Sequence, residues 1–245
     1  MESFSHLSVI IPAYQEEKLI ARMLGQFTAE LRHKYRFEVI VSDGGSKDKT
    51  VCLARNIADL VVEARPGSKE NISIGRNRGA RSARGEFLFF LNADTFIEDP
   101  EKFFPTMIDA LRRDGIAAAT CNVAIYPEEE NLADRLFHGF CNWYFSLLNN
   151  IGMGMGRGEC HVMKREVYEQ AGGYDESIAA GEDYELFLRL RRVGKIVYVH
   201  TLSVFESPRR FRKYGYLSVS FLWFINSLTV LLFRRSVFKQ WKPVR

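Results

Sequence analysis

Apolar positions along the chain follow two periods in turn, and that alternation predicts an α/β fold. Leu7-Ser-Val-Ile-Ile11 is apolar on both faces and closed by Pro12, the pattern of a buried parallel strand. Leu19, Ile20, Met23, Leu24, Phe27 and Leu31 then recur at helical spacing, with Glu16, Glu17, Arg22, Glu30 and Arg32 between them, and predict one amphipathic helix. Residues 37–41 predict the second strand, Asp43-Gly-Gly-Ser46 a turn and 50–56 a helix. Further strands are expected at 59–62, 87–91 and 115–120, and helices at 73–84 and 100–113. Strand alternating with helix implies a mostly parallel sheet covered on both faces.

After Pro127 the texture changes. Residues 132–151 are aromatic and apolar with His138, Asn142 and Asn149 scattered among them, which predicts a helix. Gly152-Met-Gly-Met-Gly-Arg-Gly158 is too glycine-rich for regular structure and is expected to be a mobile loop. Helices at 167–173 and 184–193 and a strand at 195–200 complete the pattern. With no repeat and no low-complexity linker, the chain divides into one domain, 1–213, and a hydrophobic and basic segment, 214–245.

With 47% hydrophobic and 26% charged positions in 245 residues, a core can form without disulfides, which excludes disordered, collagen-like and mini-protein classes. Cys52, Cys121, Cys141 and Cys160 show no zinc spacing and read as buried or idle thiols of a reducing, cytosolic setting. The first residues lack the basic region of a secretory signal, so export is not expected. Net charge is +4, but nine Lys or Arg against Glu206 alone give residues 205–245 a charge of +8 and leave −4 on the rest. A mildly acidic body with a basic tail argues against nucleic acid as the partner. There is no Walker Gly-Lys-Ser, no GxGxxG after a strand and no G-x-S-x-G, and His6, His33, His138, His161 and His200 lack triad partners.

Ligands of open parallel sheets bind beyond the carboxyl ends of the strands. Three polar clusters fall there: Pro12-Ala-Tyr-Gln-Glu16, Ser42-Asp-Gly-Gly-Ser46 and Asn92-Ala-Asp94-Thr95. A strand-end carboxylate such as Asp94 can hold a hard cation that neutralises a diphosphate; alone it reads more often as a turn former or helix cap, and the other two clusters on the same edge reverse that. Taken in order, Val9-Ile-Ile-Pro-Ala-Tyr-Gln-Glu16, Val39-Ile-Val-Ser-Asp-Gly-Gly-Ser-Lys-Asp48, Gly75-Arg-Asn-Arg-Gly-Ala80, Phe90-Leu-Asn-Ala-Asp94, and Gly172-Gly-Tyr-Asp175 with Gly181-Glu-Asp183 resemble the family 2 glycosyltransferases over residues 7–213. The Asp-Gly-Gly-Ser and Leu-Asn-Ala-Asp-Thr forms look closest to a bacterial and archaeal branch acting on lipids or small molecules.

That resemblance implies a GT-A fold, a Rossmann-like, mostly parallel sheet with helices on both faces. It implies a nucleotide-diphosphate sugar donor of UDP, GDP or dTDP type, a divalent cation (Mn2+ or Mg2+) and inversion at the anomeric carbon. Pro12, Ala13, Tyr14 and Glu16 then surround base and ribose with Asp43 and Gly44, although Gly44 stands where the family often has a second acid. Arg76 and Asn77 match the donor-binding stretch, where a guanidinium suits a diphosphate; the alternative for Arg76 is a solvated helix face beside Arg78 and Arg81. Asn92-Ala93-Asp94 keeps only the last acid of the family's metal motif, making Asp94 the principal metal ligand and Asn92 a weaker one. Glu182-Asp183 matches the acceptor-side acid pair with Asp183 as general base, in the first turn of a helix whose dipole favours the ionised form; alone it reads as a helix cap. Gly156 and Arg157 belong to the acceptor side, Glu206 takes the place of a metal-side His, and Arg209 and Arg210 either close over the diphosphate or face anionic lipid.

The uncharged run from Tyr214 to Phe233 is just long enough to span a bilayer of roughly 30 Å. Basic residues on both flanks favour a segment lying in the cytoplasmic interface, with Trp223 and Trp241 at headgroup level; packing on the domain or on a second subunit is the alternative. These readings predict an inverting, metal-dependent glycosyltransferase, peripheral or monotopic at the cytoplasmic membrane face, that uses a hydroxyl acceptor, lipid-linked. A polyprenyl-phosphate sugar synthase, whose acceptor attacks as an anion without a base, and a catalytically weak sugar-nucleotide-binding partner protein are the alternatives.

Overall fold

The computed structural model describes residues 7–238 and Val244; the expectation for Trp241 lies outside the described residues. The amino-terminal half repeats strand and helix: β1 (Leu7–Ala13), α1 (Ile20–Gly25), α2 (Ala29–Tyr35), β2 (Phe37–Asp43), α3 (Thr50–Arg55), β3 (Leu60–Glu63), α4 (Ile72–Ser82), β4 (Phe87–Leu91), β5 (Phe96–Ile97) and α5 (Pro100–Arg112). The rest comprises β6 (Ile116–Ile125), α6 (Leu132–Asn150), β7 (Cys160–Lys164), α7 (Arg165–Gln170), α8 (Glu182–Val193), β8 (Lys195–Glu206), α9 (Arg209–Tyr214) and α10 (Tyr216–Phe233). The strands form one sheet in the order β3-β2-β1-β4-β7-β6-β8-β5.

Burial explains the runs that lack alternation. All five residues of β4, Phe-Leu-Phe-Phe-Leu, are buried because each face of the sheet is covered. Val9, Ile11, Phe87 and Phe89 point to one core with Phe103 and Phe104 of α5, while Ile10, Leu88 and Phe90 point to the other with Tyr168, Leu186 and Phe187. Helix α4 lies so close to β1 that a Cβ on Gly79 would stand 2.5 Å from Ile10 Cγ2. Gly79→Ala should therefore cost about 1–3 kcal/mol by overpacking, read from the midpoint of urea unfolding; an unchanged midpoint would mean that α4 can shift freely.

Three expectations change. The single helix over residues 19–31 divides at Gln26–Thr28, where the Thr28 hydroxyl accepts from the Leu31 N–H and starts α2 as an N-cap. Strand β7 is not expected from the sequence; it runs antiparallel between β4 and β6 and, with β5 antiparallel to β8 at the far edge, interrupts the parallel pattern. Strand β8 continues past the expected 195–200 to Glu206, its register with β6 shifting at Cys121/Asn122, and so brings Glu206 and α9 to the edge where β1, β2 and β4 end.

Candidate active site

The carboxyl ends of β1, β2 and β4 bring the three polar clusters together. Register places Ala13 opposite Asp43, and the Gly44 N–H donates to the Ala13 carbonyl at 2.8 Å. Gln15 and Glu16 are fixed through their N–H groups to the hydroxyls of Ser46 and Thr50, both at 2.7 Å. Asp43 accepts from the Gly45 and Ser46 N–H groups through Oδ2, whereas its Oδ1 is buried with no hydrogen-bond partner among the described residues. A buried carboxylate oxygen left unpaired is costly, so this acceptor fits a ligand N–H or hydroxyl. Pro12, Tyr14 and Gly44 are half-buried around it.

Arg209, from α9, closes this edge. Its guanidinium donates to both oxygens of Glu16, at 2.9 and 2.7 Å, and to Asp94 Oδ2 at 2.9 Å. Arg210 beside it is partly buried near Asp94 and Glu206, and burial lowers its pKa. Asp94 keeps part of its carboxylate exposed, and Ala93 is buried.

Behind this edge stands a second cluster. Arg76 of α4 is fully buried, not solvated: it pairs with Glu182 Oε1 at 2.6 Å and donates to Asn92 Oδ1 at 3.0 Å and to the Gly158 carbonyl at 2.8 Å. Its guanidinium also lies 5.1 Å from the centre of the Tyr174 ring. Arg76 thus joins four segments, the middle of α4, the end of β4, the glycine segment and the start of α8. Gly181, at φ 76°, delivers the chain into α8, and Asp183 follows in its first turn. A Cβ on Gly158 would lie 3.7 Å from both Asn92 Nδ2 and Asp183 Oδ2, so the β4 end and Asp183 meet there. Burial, and next the charge of Glu182, push Asp183 up to about 7 against the opposing pull of Arg76. The helix dipole was expected to keep this carboxyl ionised; burial outweighs it.

Several expected roles are corrected by partners already in place. Asn92 spends one lone pair of its Oδ1 on Arg76, which ties the end of β4 to α4. Asn77 points away from the strand ends: its oxygen accepts from the Tyr168 hydroxyl and the Tyr174 N–H, and its nitrogen donates to the Tyr174 carbonyl and to Glu176. All four hydrogen-bonding positions of that amide are used, which makes Asn77 a support for the Gly172–Glu176 segment. Glu206 accepts from Arg157 Nη2 at 2.7 Å, and burial with Glu159 alongside pushes its carboxyl well above the usual range, so it does not present a free anionic ligand. Arg157 is itself buried between Glu206, Glu159 and His138. The glycine segment is packed rather than mobile: a Cβ on Gly156 would strike the Phe187 ring at 2.5 Å, and the Asn149 amide holds both the N–H and carbonyl of Met155.

The profile of glycosyl transferase family 2 matches residues 8–172, two thirds of the chain. The chain belongs to glycosyl transferase family 2. Among relatives of this family, it is 26% identical over 206 residues to the O-antigen biosynthesis protein RfbC of Myxococcus xanthus, covering 77% of this chain but 16% of that protein. It is 25% identical over 215 residues to the glycosyltransferase AglE of Haloferax volcanii, covering 84% of this chain and 68% of that one. The mannosyltransferase PcManGT of Pyrobaculum calidifontis, solved with GDP-Man and Mn2+, superposes with a TM-score of 0.66 at 20% identity, over 84% of this chain and 58% of that chain. Glucosyl-3-phosphoglycerate synthase from Mycobacterium tuberculosis, solved with Mn2+ and UDP, gives 0.58 at 19% identity, over 91% and 78%. The sheet is thus that of the GT-A fold. This chain spans only a sixth of RfbC and just over half of PcManGT.

In a family 2 frame, the described residues contain no group of three or more His, Cys, Asp or Glu that could hold a metal ion. Asp94 is the one residue of Asn92-Ala-Asp94 whose carboxylate reaches the cleft, and it does so already neutralised by Arg209. That donor set fits a divalent cation held mainly by a ligand's own phosphates. Glu159 was not singled out from the sequence; only its place two residues beyond Arg157 marked it.

Proposed function

We propose that this chain is an inverting glycosyltransferase that moves a sugar from a nucleotide-diphosphate donor of UDP, GDP or dTDP type to a hydroxyl acceptor. The observation that carries this reading is one arrangement of three acids: Asp43 with an unpaired buried oxygen, Asp94 at the cleft, and Asp183, raised to about 7, tied to the β4 end through Arg76. Asp43, with Pro12, Ala13, Tyr14, Glu16 and Gly44, takes the nucleoside. Asp94 holds Mn2+ or Mg2+, which when bound offsets the charge of the diphosphate. Asp183 takes the proton of the acceptor hydroxyl as the hydroxyl oxygen attacks the anomeric carbon; the bond from that carbon to the diphosphate oxygen breaks, and the diphosphate leaves with the bonding electron pair. Arg209, released from Glu16 and Asp94, and Arg210 beside it stand where they can neutralise the leaving group. Residues 1–213 form the transferring domain, and 214–245 hold it at the cytoplasmic membrane face, where a lipid-linked acceptor would be found.

Thermal unfolding of detergent-purified protein with UDP, GDP and dTDP sugars, each with and without Mn2+ or Mg2+, tests the donor site. One nucleotide should raise the midpoint, and only with metal. At a ligand concentration of 100 times Kd the gain is about 2.7 kcal/mol. For a chain of this size that is roughly 5–11 °C. A full shift without metal would remove Asp94 from this role, and no shift with any donor would favour a partner protein without activity of its own.

A further inference from the structure

Helix α6 is built the wrong way round for a helix surrounded by water. Its protein-facing side carries Asp134, His138, Asn142, Ser146 and Asn149, each with a polar partner inside the protein, beside the buried Cys141 and Leu148. Its outward side carries Leu136, Phe140, Trp143 and Leu147, continued by Ile151 at the C-cap, spaced four, three, four and four apart and each 40–66% exposed. A soluble surface helix does the opposite, turning its apolar stripe to the core. Helix α10 adds a second such row, Leu217, Phe221, Phe224, Leu228 and Leu231, each 42–88% exposed. The two helices touch near both ends: Phe137 lies 4.7 Å from Tyr216 and 6.3 Å from Trp223 between ring centres, and Leu148 joins Val230 in one buried cluster.

We propose that α6 and α10 together form a monotopic platform seated in the interface of an anionic bilayer. No charged residue occurs from Leu136 to Gly156 or from Tyr214 to Phe233, whereas exposed Lys213 and Arg234 with Arg235 bracket α10 where lipid phosphates would lie. Aromatic side chains of both helices, Phe140, Trp143 and Tyr144 among them, suit headgroup depth. Although α10 is long and apolar enough to cross a membrane, it is keyed to the domain: Asn226 is buried and donates to the Ala180 carbonyl at 2.8 Å, next to Gly181 and Asp183. A helix fastened along one side lies on the bilayer with its domain. Resting on the proposed transfer to a hydroxyl, the platform also names the acceptor class. The glycine segment leaves α6 and ends at Gly158 beside Asp183, so a hydroxyl on a lipid-anchored acceptor reaches the base from the membrane plane.

Full-length protein is mixed with vesicles of phosphatidylcholine and phosphatidylglycerol, and Phe140→Glu/Leu147→Glu is compared with Phe221→Glu/Leu228→Glu. All four sites are exposed, and the nucleotide-induced thermal shift reports whether each variant keeps its fold; Phe140→Ala/Leu147→Ala serves if the glutamates do not. Each pair should weaken sedimentation with vesicles at least tenfold. In a Trp223→Phe/Trp241→Phe background, brominated lipid should quench Trp143. Undiminished vesicle binding of the α6 variant with Trp143 unquenched would overturn the platform, as would an α6 variant that turns a dimer into a monomer while Trp143 stays unquenched. Quenched Trp143 together with no transfer to any hydroxyl acceptor would keep the platform and sink the enzymatic reading instead.

Discussion

Asp183→Asn should lower transfer to a hydroxyl acceptor by about 10²–10⁴-fold while leaving the nucleotide-induced thermal shift in place. The amide keeps the size of the side chain and its bond to the Tyr184 N–H but has no basic oxygen for the proton. In the parent protein the base is the ionised form, so transfer should climb as pH rises through about 7 and level off above it. Stability moves the other way. A carboxyl raised in the folded state costs nothing below the unfolded value near 4, and its penalty grows as pH rises towards about 7. Asp183→Asn should therefore be more stable than the parent at pH 8 and equal to it at pH 3. Transfer at the parent's rate, flat across pH 6–8, would point to an acceptor that attacks as an anion, a polyprenyl phosphate.

Arg76→Met should be the most destabilising single change at this site. The substitution removes a charge with no exposure to water and strands Glu182, whose side chain is 8% exposed, without its partner. Breaking a buried pair from one side costs about 3–5 kcal/mol. For a domain of this size the unfolding midpoint would drop by roughly 6–20 °C. Arg76→Met/Glu182→Leu should recover much of the loss, because the uncompensated charge goes with it. The single variant should also move the pH profile of transfer upward, since Arg76 favours ionised Asp183. A midpoint within experimental error of the parent would refute the role of Arg76 as the junction of the four segments.

The elements that were legible from the sequence are those whose signals are local. Strands such as Phe87–Leu91 are unbroken apolar runs, and the turn residues after them mark the edge where Asp43 and Asp94 lie. Strand β7 carries a weaker signal: Cys-His-Val-Met-Lys follows the glycine segment but has neither a continuous apolar run nor strict alternation, and its burial depends on β4 and β6. Arg76 reads from the sequence as a diphosphate ligand or a solvated helix residue, and its burial against Glu182 leaves no local mark because that partner is 106 positions away. The glycines of 152–158 read as freedom, whereas here the missing side chains make room for Phe187 and Arg191. In α6 the scattered polar residues were visible, but which way they point is decided by β6, β8 and α9.

The position of β7 also bears on how the chain is made. Strand β4 has β1 on one side at once, but its other neighbour is completed about seventy residues later. At 5–20 residues per second, synthesis leaves that edge open for roughly 4–15 s. Phe-Leu-Phe-Phe-Leu without charge or proline is the kind of segment that pairs with strangers when its backbone is bare. The apolar face of α6 emerges during the same interval. A nascent chain that has passed Asn150 and not reached Lys164 is thus its most aggregation-prone form, and shielding by a chaperone or early contact with the bilayer would matter most in those seconds.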